Sequence, residues 1–192
     1  MKVKVLVLGV SISCLFLAGC AKNYFKPSAS TQSAVGAKTP VPAPSVKTPE
    51  PVADKKVVVK TAKGEFEIAL YSSLAPKSVE NFIKKANENF YKGLKFHRVE
   101  DWVVQGGDPD GNGTGGGSQP TELSGKEFKE GSVGVARAGE ISVSNDSQFF
   151  ICIKDCAWLT RQYTYLGEVT SGLEEVVKKI KRGDKIESIS VK

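Results

Sequence analysis

The chain has 192 residues, 27 Lys and Arg against 21 Asp and Glu, and a formal charge of +6 at neutral pH. The length is generous for one domain, and a basic excess suits a nucleic-acid partner only if it lies on the folded part. It does not: Asp54 to Lys192 carries 21 Lys and Arg against 20 Asp and Glu, whereas Lys22, Lys26, Lys38 and Lys47 face only Glu50 in the segment before it. Nucleic acid is therefore excluded as the expected partner, and anionic lipid headgroups account better for the basic segment.

From the N-terminus, Met1-Lys2-Val3-Lys4 is a short positive region, and Val5 to Phe16 is apolar but too short to span a bilayer. Leu17-Ala18-Gly19-Cys20 follows and resembles a bacterial lipobox, which implies a signal peptide over 1–19 and Cys20 as the acylated first residue of a lipoprotein. Two or more acyl chains, palmitate among them, hold a protein stably on a membrane. The expected localisation is extracytoplasmic and lipid-anchored. Pro40, Pro42, Pro44, Pro49 and Pro51 then interrupt a Ser-, Thr-, Ala- and Lys-rich run, so 20–55 reads as a lipidated tether. The run from Ala21 to about Ala53, roughly 33 residues, would span about 30 Å as a coil and up to about 100 Å when drawn out.

The domain is expected over 56–192. Val57-Val58-Val59 and Phe66 to Leu70 flank Ala62-Lys63-Gly64, and the alternation of Phe66, Ile68 and Leu70 predicts a hairpin with one buried face. Pro76 opens a predicted helix in which Val79, Phe82, Ile83, Ala86 and Phe90 recur at helical spacing through about Asn89. Short strands are predicted over Leu94–Arg98, Trp102–Gln105, Ser132–Ala136, Gln148–Ile153, Thr164–Val169 and Lys185–Val191, with a second helix over Leu173–Ile180 ended by Gly183. Many short strands with two separated helices predict a mainly β fold, a closed antiparallel barrel.

The run Asp108-Pro109-Asp110-Gly111-Asn112-Gly113 opens like a calcium loop, but its twelfth position is Gln119, which has no bidentate carboxylate, and strand rather than helix precedes it. Gly111, Gly113 and Gly116 match dinucleotide spacing, yet Pro120 stands where a helix would begin. A glycine-permitted loop is the better reading. Cys152 and Cys156 offer, with His97, too few ligands for structural zinc, so no metal is expected. A disulfide between them is chemically permitted outside the cytoplasm and depends on the turn joining them, so both redox states stay open. His97 is the only histidine. Adjacent strand residues point oppositely, so only one of His97 and Arg98 can face a groove; a buried, hydrogen-bonded His97 is expected, and by itself Arg98 reads as one half of a surface salt bridge.

Phe96-His97-Arg98, Gln105-Gly106-Gly107-Asp108-Pro109 and Ser147-Gln148-Phe149-Phe150-Ile151 set one cation and two amides among aromatic and aliphatic residues, a composition for gripping an apolar ligand that bears an amide. Taken together they resemble the cyclophilin family of peptidyl-prolyl isomerases, over about Lys56 to Lys192. The resemblance implies an eight-stranded barrel capped by two α-helices, a glycine-rich loop bordering the substrate groove, and no cofactor. It places the catalytic arginine on Arg98 and the groove residues on Trp102, Val103, Gln105, Ala136-Arg137-Ala138, Gln148, Phe150, Trp158-Leu159 and Tyr163. Three departures mark this chain. Arg98 to Gln105 is one residue shorter than usual, with Glu100-Asp101 in place of a Pro-Gly-like turn, Arg137 replaces asparagine, and Tyr163 replaces histidine.

What the resemblance implies chemically is isomerisation of X-Pro bonds. Phe150, Val103, Leu159 and Tyr163 hold the proline ring, Arg98 donates to the twisting amide nitrogen, and Gln105 with the backbone of Ala136 holds the peptide. The expected partners are proline-containing unfolded or flexible polypeptides and, through Cys20, the membrane; the expected state is a monomer. The alternative reading is a proline-peptide-binding module with weak or lost catalysis, motivated by the shortened segment.

Overall fold

The computed structural model describes residues 53–192; the signal segment, Cys20 and the tether up to residue 52 lie outside the described residues. Lys55–Thr61 (β1) and Gly64–Leu70 (β2) form the predicted hairpin, paired without a break from Lys55↔Leu70 to Thr61↔Gly64. The Thr61 hydroxyl oxygen accepts the Lys63 N–H and its O–H donates to the Gly64 carbonyl, each at 3.1 Å, which closes the turn locally. The helix α1 (Pro76–Asn87) follows, with Pro76 in the first turn where its missing N–H costs nothing. Ala75 supplies no side-chain cap. Glu122, remote in sequence, accepts the Lys77 and Ser78 N–H groups at 3.1 and 2.8 Å instead. Val79, Phe82 and Ala86 are the buried face.

The remaining strands are Arg98–Val99 (β3), Val103–Gly106 (β4), Ser118–Pro120 (β5), Ser132–Val135 (β6), Val143–Asn145 (β7), Phe149–Cys152 (β8), Tyr165–Ser171 (β9) and Ile186–Val191 (β10). Eight of them make one sheet in the order β10-β1-β2-β9-β6-β8-β4-β3, and β5 pairs with β7 in a separate ribbon that the sequence pattern did not mark. The large sheet curls into a half-barrel, which corrects the expected closed barrel. Between its margins β10 and β3 there is no continuous ladder among the described residues. The expected strand Leu94–Arg98 shrinks to Arg98–Val99, and ahead of it Lys95 makes only isolated bridges, to Lys185 on one side and Asp108 on the other. Phe96 N–H donates to Asp184 and Ile186 N–H to Leu94, both at 2.9 Å.

The second α-helix expected over Leu173–Ile180 is also corrected. Only a 3₁₀ turn forms, Val177–Lys179. Val177 and Lys178 N–H reach back five residues to Gly172 and Leu173, while Lys179 and Ile180 reach back three. A stretch this short, with two adjacent β-branched valines, follows its packing rather than its periodicity. Val176, Val177 and Ile180 are buried in the core, and that burial decides their backbone.

Two apolar clusters share the sheet. Val57, Val59, Phe66, Ile68, Phe82, Val104, Phe149, Ile151 and Ile186 belong to the main core under α1. Val103, Phe128, Phe150, Cys152, Leu159 and Tyr165 form the second. Strand alternation makes the division, since successive residues of β4 and β8 point to opposite faces, Val104, Phe149 and Ile151 to the main core and Val103, Phe150 and Cys152 to the second cluster. Phe149 meets Phe82, Tyr91 and Phe96 edge-on at centroid distances of 5.5, 5.8 and 6.4 Å. Phe149→Ala should therefore destabilise the domain by about 3–5 kcal/mol, read as a lower midpoint in urea unfolding at an unchanged slope.

Candidate active site

The segment where one residue is missing folds as a two-residue hairpin. Arg98 pairs with Gln105 and Val99 with Val104, and Glu100 N–H then donates to Val103 at 2.9 Å, leaving Asp101-Trp102 as the turn. This register sets Arg98 directly opposite Gln105. It also puts Glu100, two residues on, beside Arg98 on the same face. Gln105 in turn lies opposite Phe150 of β8, and Phe150 opposite Gly134 of β6. A Cβ on Gly134 would lie 2.4 Å from Phe150 Cζ and 2.8 Å from Phe128 Cε1, so glycine is what lets the two rings stack there.

These elements surround an open cleft of about 470 Å³. Of the residues singled out in the sequence, Arg98, Trp102, Gln105, Ala136, Arg137, Phe150, Leu159 and Tyr163 line it. Phe150 and Tyr163 meet edge-on at 5.5 Å, and the Arg137 guanidinium lies 4.6 Å over the Tyr163 ring. Four residues fall elsewhere. Val103 is fully buried in the second cluster beneath the cleft, and Gln148 is buried behind Gln105. Trp158 is 61% exposed and meets Trp102 edge-on at 5.6 Å, while Ala138 lines a neighbouring hollow with Val143 and Ser144. His97, Val99, Glu100, Asn112, Gly113 and Arg182 complete the cleft. Glu100 was legible as the neighbour two residues from Arg98 on one strand face; Arg182 had no signal, because it arrives from a distant loop.

The polar edge is one directed chain. Gln148 Nε2 donates to the carbonyls of Gly113 and Gly115 at 3.2 and 2.8 Å, Gln105 Nε2 donates to Gln148 Oε1 at 3.0 Å, and Arg98 Nη1 donates to Gln105 Oε1 at 3.2 Å. Carbonyls only accept and a guanidinium only donates, so both amides have a single orientation that satisfies the chain. The loop carbonyls are held in turn by Asp108, whose carboxylate accepts N–H groups from Asp110, Asn112 and Gly113. Burial alone would raise the Asp108 carboxyl, but these three donors bring it below the usual range. Gly115 packs so closely that a Cβ there would lie 2.3 Å from Asp108 Oδ1.

At the other end, Arg98 donates to Glu100 through Nε at 2.7 Å and Nη2 at 3.0 Å, and Trp102 Nε1 donates to the same carboxylate at 3.1 Å. The hydrogen bond from Arg98 holds the Glu100 carboxyl below its usual range. The peptide groups of Ala136 are already committed, its N–H to Gln148 at 2.9 Å and its carbonyl to Asn145 N–H at 2.8 Å. The N–H and C=O of the next residue, Arg137, make no hydrogen bond among the described residues. Cys152 and Cys156 are buried free thiols, kept protonated because burial raises both. Among the described residues no cluster of three or more His, Cys, Asp or Glu could hold a metal ion.

Residues 56–191 match the family model for cyclophilin type peptidyl-prolyl cis-trans isomerase. A peptidyl-prolyl cis-trans isomerase of Helicobacter pylori (strain ATCC 700392 / 26695) is 39% identical over 157 residues, covering 78% of this chain and 94% of that protein. One from Schizosaccharomyces pombe is 40% identical over 129 residues, or 61% of this chain and 79% of the relative. Among solved structures, a Cryptosporidium parvum cyclophilin type isomerase superposes with a TM-score of 0.67 at 25% identity, covering 72% of this chain and 97% of that one. The same protein in the presence of the dipeptide Ala-Pro gives 0.65 at 26% identity, covering 71% and 98%.

His97 is buried as expected, but its Nδ1 has no hydrogen-bond partner among the described residues. Burial lowers its pKa; Asp108 opposes this, and Arg182 and Arg98 add to it. With the folded value below the unfolded one near about 6.5, the unfolded chain binds the proton first. This contribution to stability is present above the unfolded value and is lost as pH falls toward the folded one. Acidification from about pH 7 to about pH 5 should therefore lower the Tm of the wild type more than that of His97→Gln, as followed by circular dichroism.

Proposed function

Since the chain belongs to the cyclophilin-type peptidyl-prolyl cis-trans isomerases, we propose that it turns X-Pro bonds of exported proteins close to a membrane, with Arg98 as its catalytic residue. Rotating such an amide costs about 18–20 kcal/mol because the nitrogen lone pair is delocalised into the carbonyl. Uncatalysed it takes tens to hundreds of seconds. No group has to be transferred: the enzyme needs only to bind the twisted amide better than either planar form. An apolar recess bounded by Phe150, Leu159 and Tyr163, with Val103 beneath Phe150, suits a proline ring. The permanently charged guanidinium of Arg98 suits the nitrogen as its lone pair is released.

The observation that carries this assignment is the cross-strand pairing of Arg98 with Gln105 opposite Phe150, which sets a fixed donor beside an apolar seat. It also weighs against a binding module without catalysis, since the shortened segment closes as a regular hairpin and leaves Arg98 on the cleft. Gln105, oriented from behind by Gln148, and the Arg137 backbone serve to hold the peptide, Trp102 and Trp158 to flank it, and Ala136 and Ala138 to shape its path. Arg98→Ala should lower kcat/KM for a proline peptide by about 10²–10³-fold while leaving thermal unfolding unchanged, measured by NMR exchange or a protease-coupled assay. Wild-type turnover in the variant would overturn the assignment.

The export and membrane part rests on Leu17-Ala18-Gly19-Cys20 and the basic, proline-rich run behind it. Acylation of Cys20 would tie the domain to the outer side of a membrane, with the tether setting its reach. In a bacterial host, the full chain should incorporate labelled palmitate and partition into detergent, and Cys20→Ser should abolish both. A wild-type chain that stays unlabelled in the aqueous phase would sink the anchor and leave the isomerase assignment standing.

A further inference from the structure

Glu100 is the only acidic side chain among the described residues that line the cleft, and it stands where the chain departs from the usual spacing. Its carboxylate takes three donors: Arg98 Nε on Oε1, and Arg98 Nη2 and Trp102 Nε1 on Oε2. A guanidinium carries five N–H groups. Glu100 uses one on Nε and one on Nη2, and Gln105 Oε1 uses one on Nη1. One N–H on each terminal nitrogen is left for a ligand, and the fork grip fixes the plane in which those two point. The Trp102 ring lies 5.2 Å from Arg98 Cζ, and its indole N–H anchors the carboxylate, so ring, acid and guanidinium orient one another.

The pair is half exposed, with side-chain exposures of 41% and 46%, so as a stabilising ion pair it is worth little. Its consequence is directional. Gln105 alone holds Arg98 by one 3.2 Å bond, which leaves a long side chain free to swing about its stem. We propose that Glu100 is a positioning residue for X-Pro isomerisation: its fork on Nε and Nη2, braced by Trp102, aims the remaining N–H groups of Arg98 at the substrate amide. This rests on the assignment of Arg98 as the catalytic residue. The two-residue hairpin makes the arrangement possible, because only strict alternation from Arg98 to Glu100 sets both on one face.

The test uses the full chain and a proline peptide followed by NMR exchange. Glu100→Ala should lower kcat by about tenfold with KM within about twofold, since the groups expected to seat the peptide are untouched. Glu100→Gln, which keeps one acceptor and the side-chain length, should recover part of the loss. Asp101→Asn makes the same charge change one residue away, where the side chain pairs with Lys154 at 3.2 Å, and should leave kcat as in wild type. The Arg98 Nε–H resonance should be sharp and slowly exchanging in the wild type and lost in Glu100→Ala. If Arg98→Ala abolishes turnover but Glu100→Ala keeps wild-type kcat or raises it, the inference falls while the assignment of Arg98 stands. If Arg98→Ala itself retains full activity, the assignment falls first. An equal drop in Glu100→Ala and Asp101→Asn would make the effect one of net charge and would also overturn it.

Discussion

The cleft depends on the antiparallel pairing of β4 with β8. Val103, Val104 and Phe149 to Cys152 are buried and alternate between the main core and the second cluster, so a shift of one position would exchange them all. Phe149 and Ile151 anchor one side against Phe82, Tyr91 and Phe96. With those seated, Phe150 has no choice but the opposite face, beside Gln105 and over Gly134. The apolar floor of the cleft is thus a by-product of core packing.

The polar edge is built differently, out of direction rather than volume. Asp108 holds backbone N–H groups of the glycine-rich loop, the loop presents two carbonyls, and those carbonyls orient Gln148, which orients Gln105, which accepts from Arg98. Every link has one permissible sense, because the chain begins at acceptors and ends at an obligate donor. A fixed cation beside an apolar recess is what amide rotation asks for, since the charge meets a lone pair that exists only while the bond is twisted. Glu100 and Trp102 grip the free side of the same guanidinium, so Arg98 is constrained from both flanks.

Much of this was readable in the chain. The β1–β2 hairpin and α1 followed their periodicities, since each is a local pattern with a local turn or a proline at its start. Arg98, Gln105 and Phe150 stood out through their motifs, and the structure does bring them to one cleft. Other expectations failed where neighbours compete for the same backbone. The expected strand Leu94–Arg98 is reduced to isolated bridges from Lys95 to Lys185 and Asp108, and the eight-stranded sheet has the form of a half-barrel. Val176 and Val177 yield helical bonding to burial, leaving a 3₁₀ turn where helix was expected.

By itself the sequence determined which chemistry the domain could offer: one permanently charged donor, two amides and an apolar ring site, with neither a metal cage nor an activated nucleophile in its motifs. It did so because residue identity sets charge, donor count and strand period without reference to distant contacts. Only the tertiary structure decided that a shortened segment would close as a two-residue hairpin, that Val103 and Gln148 would stand behind the cleft, and that Arg182 would border it. Those outcomes depend on sheet register and on which backbone groups are already taken, and both are settled by partners far away in the chain.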